Sequence, residues 1–587
     1  MRVLQKITSL GRLAVLMIVG TIAIGGTPPT VTALSYQRIS GEGSSWSANA
    51  IDAMRVNVRQ FGITVDYNPS GSSAGRKNFL NGTVDFAGSD IPFQFAPEDG
   101  SAPENPAPGS YAYIPIVAGG TAFMYNLQIN GKRVTNLRLS GENVTKIFTG
   151  KISNWNDPAL QADNPGLVMP ARAIVPVVRS DGSGATAQLT KWMISQYPDL
   201  WNSYCKDSGR APTCGYTSFY PTLPGMISQS GDLGISGYVS QGFAEGAIGY
   251  VNYSYALGVQ FPVVKMLNAA GFYTEPTPQN VAVSLLQAGI NTDESDPANY
   301  LTQQLEGVYT DRDPRNYTLS SYSYLIVPTV VAGQFNEEKG KTLGAFAYYA
   351  MCQAQQQSAS LGYSPMPINL VEASFEQIRK IPGVEVQDIA ISSCKNPTFS
   401  PDGSNLLADT APRPQECDKL GSVSQCPNGT GGLSNVPTDV SGPAIVVAPV
   451  VTTPGGAVVA APGGGAAPVV TAPGGGAAPV VTAPGGAVVP GVTVPGAVGT
   501  PGAVDGVNAP VVDPETGQVI DGDPSVGGVA DAGVGVAAPG VVGPVQSTIL
   551  PQSSTSVALL LLVIMLTLAL VLAPAVAWRH FAQRKPA

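Results

Sequence analysis

Residues 35–395 predict an α/β architecture. Strand-like and helix-like runs alternate through this stretch. Three places in it share one local pattern: an apolar strand, a Ser/Gly turn, then a segment of helical period. At about Asn435 the composition breaks, and no aromatic, Lys or Arg residue follows until after Leu550, so the packed body ends before that break.

The first of the three patterns runs Gln37-Arg38-Ile39-Ser40, then Gly41-Glu42-Gly43-Ser44-Ser45-Trp46, then a helix over about Ala48–Gln60. The second is Ile63–Tyr67, then Asn68–Gly75, then a short helix around Lys77–Leu80. The third is Ile174–Val178, then Arg179-Ser180-Asp181-Gly182-Ser183-Gly184, then a helix over Ala185 to about Gln196. A helix N-terminus has unpaired N–H groups and a partial positive charge. Glycine lets an oxyanion approach that backbone, and serine adds a hydroxyl donor. One such turn is no more than a helix cap. Three in one body point to an anion cradle.

Asp90 ends the strand-to-turn run Thr83–Asp90. A capping aspartate is the ordinary reading. The functional reading is that a carboxylate beside a bound anion is repulsive unless the anion carries a proton to donate. Hydrogen phosphate carries one at neutral pH and sulfate does not, so an ionised Asp90 rejects sulfate. Arg179 supplies a compensating fork of donors, with Asp181 placed to orient it. Tyr250, Tyr253 and Tyr255 fall in a strand-like run and are expected to pack between layers.

Composition removes other chemistries. The 587 residues contain one histidine, His580, far from the body, so no Ser-His-Asp triad, Cys-His pair or multi-histidine metal site can be built there. No cofactor or metal is implied, and an enzyme acting on phosphate esters is disfavoured on the same ground. A net charge of −9 argues against a nucleic-acid partner.

The ends set the compartment. Residues 1–33 read as an export signal: Arg2, Lys6 and Arg12, an apolar core over Leu13–Gly26, and small residues before Ala33. A membrane anchor is the other reading of that segment. Six cysteines in an exported chain suggest disulfides. Sequential pairing (205–214, 352–394, 417–426) closes the shortest loops, though six cysteines allow 15 connectivities. Residues 396–434 form a cysteine-containing tail with no assigned role. Residues 435–550, with APGGGAAPVVT twice in tandem, read as a disordered Pro/Gly-rich linker. Val557–Ala577 is an uncharged run of 21 residues, enough for a transmembrane helix across roughly 30 Å. Residues 578–587 are basic and read as cytoplasmic, which leaves the body on the outer face of the cell membrane. Leu550–Ser554 departs at two of five positions from a sortase signal, so wall attachment is the minority reading.

The ordered set Gly41–Trp46, Gly71-Ser72-Ser73-Ala74-Gly75, Asp85–Asp90 and Arg179–Gly184 resembles the phosphate-binding protein family of Pst-type ABC importers. Phe148–Ile152 with Trp155, Gly246–Val251 with Tyr253, and Leu361–Pro367 support it, and the match spans about 36–375. The resemblance implies a two-lobed type II periplasmic-binding-protein fold over 34–395. One lobe takes about 35–118 and 318–395, the other about 119–317, with ligand in the cleft between them. It implies phosphate ligands at Ser45, the backbone of Trp46, Ser72, Asp90, Arg179, Ser183, Gly184 and the N–H of Ala185. Inorganic phosphate and an ABC permease are the implied partners.

Four positions depart from the family pattern. Ser45 stands for threonine and Trp46 for phenylalanine. Ala185 lacks the family's hydroxyl. Glu42 replaces a small residue, and either points to solvent or repels a dianion. A tethered interaction, adhesion or sensing protein, or a binder of a different oxyanion, is the alternative function.

Overall fold

The computed structural model describes residues 36–439. The expected export signal, the linker beyond Asp439, the transmembrane segment and the basic tail lie outside the described residues. Among the described residues, no helix is long and apolar enough to cross a membrane.

The fold is a two-lobed α/β architecture built around one eight-stranded sheet. Its strands are β1 (Ile39–Gly43), β2 (Val65–Asn68), β3 (Phe86–Ser89), β4 (Tyr111–Tyr125), β5 (Val175–Arg179), β6 (Ile227–Gln229), β7 (Ala247–Asn252) and β8 (Ser320–Pro328), in the order β2-β1-β3-β8-β4-β7-β5-β6. β4 is shared by both halves. Tyr111–Gly120 pairs antiparallel with β8, and from Thr121 onward the partner is β7, also antiparallel. On one side β1 runs parallel to β2 and β3; on the other β5 runs parallel to β7 and β6. Every residue of β4 is buried, as expected of an uncharged strand covered on both faces.

Four helices follow the parallel strands: α1 (Ala48–Asn57), α2 (Ser72–Leu80), α3 (Gly184–Gln196) and α4 (Gly231–Val239). α1 buries Ala48, Ala50, Ile51 and Met54 against the sheet, and its expected last turn to Gln60 tightens into a 3₁₀ turn over Val58–Phe61. α2 starts five residues earlier than expected. Gly71, at φ 100°, turns the chain sharply enough for the helix to begin at Ser72. The tyrosine run is only half a strand. β7 stops at Asn252, whose side chain accepts the Ser254 N–H (2.9 Å) and starts a helix over Tyr253–Gly258.

The cysteines pair as 205–214, 352–394 and 417–426, the sequential set among the 15. The tail, which carries no role in the sequence, is packed along the body. Thr398 Oγ1 donates to Met366 O (2.9 Å) and Arg315 donates to Ala408 O (2.9 Å). Further on, Lys265 and Asp418 form a buried ion pair (2.8 Å), and Gly431 N–H donates to Glu275 Oε1 (2.6 Å). The last two contacts give Lys265 and Glu275 of the second lobe partners from the tail.

Candidate anion site between the lobes

The C-terminal ends of β1, β2, β3, β5 and β6 all lead into the same place, the position where open α/β sheets bind ligands. At or just after its end, each strand contributes polar groups. β1 is followed by Ser44 and Ser45, β2 by Ser72, and β3 by Asp90. β5 ends in Arg179, and β6 leads to Asp232 on the first turn of α4.

Asp90 is buried (2 % exposed) and held by three hydroxyls. Oδ1 accepts from Ser44 Oγ (2.7 Å) and Ser323 Oγ (2.7 Å), and Oδ2 from Ser72 Oγ (3.3 Å). Its own backbone carbonyl accepts from Gln188 of α3 (3.0 Å), a contact between the lobes. Burial pushes its pKa up to about 6. The Ser44 and Ser323 hydrogen bonds oppose that rise, Asp232 adds to it, and Arg179 opposes it.

The stability consequence has a definite sign. Between about pH 4 and 6 the folded protein keeps a proton on Asp90 that the unfolded chain has released, so stability falls as pH rises through that window. The fall amounts to about 3 kcal/mol. Asp90→Asn is expected to remove it, so denaturation midpoints at pH 5 and pH 8 should lie closer together in the variant than in the native chain.

Arg179 is buried and faces two carboxylates. Nε donates to Asp181 Oδ1 (2.7 Å) and Nη2 to Asp181 Oδ2, while Nη1 donates to Asp232 Oδ2 (2.6 Å) and Nη2 to Ser45 Oγ (2.8 Å). Burial works against the guanidinium charge, but Asp232 and Asp181 outweigh it and hold the pKa above its ordinary value. Asp181 is also desolvated, yet Arg179 keeps its carboxyl below the usual range. Tyr250 hydroxyl accepts from Arg179 N–H (3.3 Å) and shares a hydrogen bond with Thr186 Oγ1 (2.6 Å). Tyr255 hydroxyl donates to Ser45 O (2.7 Å), so two of the tyrosines expected only to pack also position the site.

α3 brings its N-terminus to the same point. Ser183 caps it by accepting from Thr186 N–H (3.2 Å). Gly184 and Ala185 are buried first-turn residues whose N–H groups have no acceptor inside the helix. A Cβ on Gly184 would stand 2.6 Å from Ser72 Oγ and 2.7 Å from Asp90 Oδ2, which shows how closely the two lobes meet here. Trp46 turns its ring away: its indole N–H donates to Thr121 Oγ1 (3.1 Å) and its ring meets Tyr363 edge-on. Only its backbone is left for the site. Glu42 also points elsewhere, accepting from Asn68 (3.1 Å) and Asn78 (2.7 Å).

The structure thus gathers Ser45, Ser72, Asp90, Arg179, Ser183 and Gly184 around one point. Sequence reasoning missed Asp232, Ser44 and Ser323. Asp232 carried a signal, because Ile227–Gln229, Ser230-Gly231 and then α4 repeat the strand, Ser/Gly turn and helix pattern a fourth time. Ser323 lies inside a strand and carried none.

A family model described as "PBP superfamily domain" matches residues 27–354. The phosphate-binding protein PstS 2 of Mycobacterium tuberculosis is 29% identical over 358 residues, which covers 58% of this chain and 87% of that protein. The phosphate-binding protein PstS of Xylella fastidiosa is 28% identical over 350 residues, covering 59% of this chain and 86% of its own length. Among solved structures, a phosphate-binding protein from Stenotrophomonas maltophilia is 20% identical, covers 57% of this chain and 92% of its own, and has a TM-score of 0.44. The family model spans over half of the chain, on the same two lobes that build the site, and this chain therefore belongs to the PBP superfamily.

Proposed function

We propose that this protein captures inorganic phosphate between its lobes and delivers it to an ABC permease. The observation that carries the reading is the convergence on one buried point of Ser45, Ser72, Arg179 and the α3 N-terminus with the well-held carboxylate of Asp90. Hydroxyls, one guanidinium and helix N–H groups suit a tetrahedral oxyanion. Asp90 suits one that still carries a proton. The names of the curated relatives support the same ligand. Ligand contacts from both lobes favour the closed form, and that form is the one offered to the permease.

Export and tethering belong to the same proposal. The basic-apolar start, the three disulfides and the uncharged run Val557–Ala577 support a body held outside the cell on a long linker and one C-terminal anchor. The body acts by binding rather than by catalysis.

The test is calorimetry on the full chain with phosphate and with sulfate at pH 7.5. Micromolar or tighter phosphate binding with no sulfate binding is expected. In Asp90→Asn the ratio of the two affinities should fall by at least about tenfold, the energy of one charge-assisted hydrogen bond. Sulfate binding as tight as phosphate binding in the native chain would move the protein to a different oxyanion.

A further inference from the structure

Ser45 and Arg179 are nearly spent before any ligand arrives. The Ser45 hydroxyl has one proton and two lone pairs. The proton goes to Asp232 Oδ2 (2.6 Å), and the lone pairs accept from Arg179 Nη2 (2.8 Å) and Asp232 N–H (3.1 Å). Of the five guanidinium hydrogens, Asp181 takes two, Ser45 one and Asp232 one. Asp232 itself cannot swing aside. It is fully buried, and its other oxygen accepts the Asn252 N–H (2.6 Å).

Charge gives the same result. One guanidinium faces Asp181 and Asp232, with Asp90 behind Ser44. A doubly charged anion would enter a buried pocket that already holds more carboxylates than cations, which is costly in a low-dielectric site. The adjacent hydroxyls treat the two deep carboxylates alike: Ser44 donates to Asp90, and Ser45 donates to Asp232.

We propose that Asp232 is a second proton-reading carboxylate, so that the closed site takes phosphate in its singly charged, dihydrogen form, with one ligand proton on Asp90 and the other on Asp232. This rests on the phosphate reading above. A ligand O–H that donates to Asp232 Oδ2 takes the place of the Ser45 hydroxyl, and Ser45 then turns its proton to an anion oxygen. The phosphate, Asp90 and Asp232 together hold two protons in the complex. The other groups that face Asp232 do not titrate in the working range. Arg179 stays charged, Asp181 stays ionised, and burial keeps the Tyr255 and Tyr363 phenols far above their ordinary value.

The experiment is phosphate calorimetry on the full chain from pH 6.5 to 8.5, in two buffers of different ionisation enthalpy. Above the second pKa of phosphate, affinity should fall by about tenfold per pH unit, with about one proton taken up per phosphate bound. A site with Asp90 as its sole reader accepts the dianion and shows neither effect. Asp232→Asn should flatten the slope and abolish the proton uptake while Asp90 still rejects sulfate. The double variant Asp90→Asn/Asp232→Asn should bind sulfate far better than either single variant. Phosphate bound equally well at pH 6.5 and 8.5 with no proton uptake overturns this inference and leaves the phosphate reading standing, as does an Asp90→Asn variant that binds sulfate as tightly as phosphate. No phosphate binding at any pH overturns both. The proton count on the native chain decides the matter even if Asp232→Asn does not fold.

Discussion

Gly184→Ala is expected to weaken phosphate binding by about tenfold to a hundredfold without destabilising the ligand-free protein. A Cβ at this position lies 2.6 Å from Ser72 Oγ, 2.7 Å from Asp90 Oδ2 and 2.8 Å from Asp90 Cβ, all in the opposite lobe. None of these atoms is the loose end of a long side chain. Ser72 and Asp90 are both buried and bonded to each other, so neither can step back cheaply. Overpacking of this kind costs about 1–3 kcal/mol, and here it is felt only when the lobes close. Gly184 opens α3 without a left-handed φ, and alanine is the better helix former, so the open protein tolerates the change. Calorimetry with phosphate, beside thermal denaturation without it, separates the two effects. Undiminished affinity in the variant would mean that the lobes do not meet at Gly184 when ligand is bound.

Arg179→Met carries the second large effect, and it falls on both binding and stability. Methionine fills much of the same volume but leaves Asp232, fully buried, and Asp181, nearly so, without their shared cation. Removing one partner of a buried ion pair costs about 3–5 kcal/mol. Chemical denaturation at neutral pH should show a loss of that size. Phosphate binding should vanish, because nothing then offsets the negative charge of the pocket. Adding Asp232→Asn to Arg179→Met should recover part of the stability without recovering binding. A single variant as stable as the native chain would show that Asp181 and Asp232 find other partners.

The alternation of elements was legible because local chemistry writes it. Apolar runs, Ser/Gly turns and helix-period segments each act within a dozen residues, and β1–α1, β2–α2 and β5–α3 all follow from them. Boundaries were less legible. The start of α2 at Ser72 depends on the left-handed turn at Gly71, and the end of β7 depends on the Asn252 cap. Those are choices among conformations that the same residues also allow elsewhere.

What the sequence determined by itself is the inventory: α/β alternation, three oxyanion-type turns, one carboxylate and one arginine in order, cysteines in even number, and too few histidines for a Ser-His-Asp triad or a multi-histidine metal site. Tertiary structure alone decided which groups touch. Ser45 meets Asp232 across 187 residues and Asp90 meets Ser323 across 233, and no local pattern encodes distances of that kind. It also decided that Arg179 is shared by two carboxylates, and that Glu42 faces Asn68 and Asn78 instead of the site. Helix and strand come from short-range sterics and periodicity. The balance of charge and hydrogen bonds in a cleft is settled only when the two halves of the chain close on each other and water leaves.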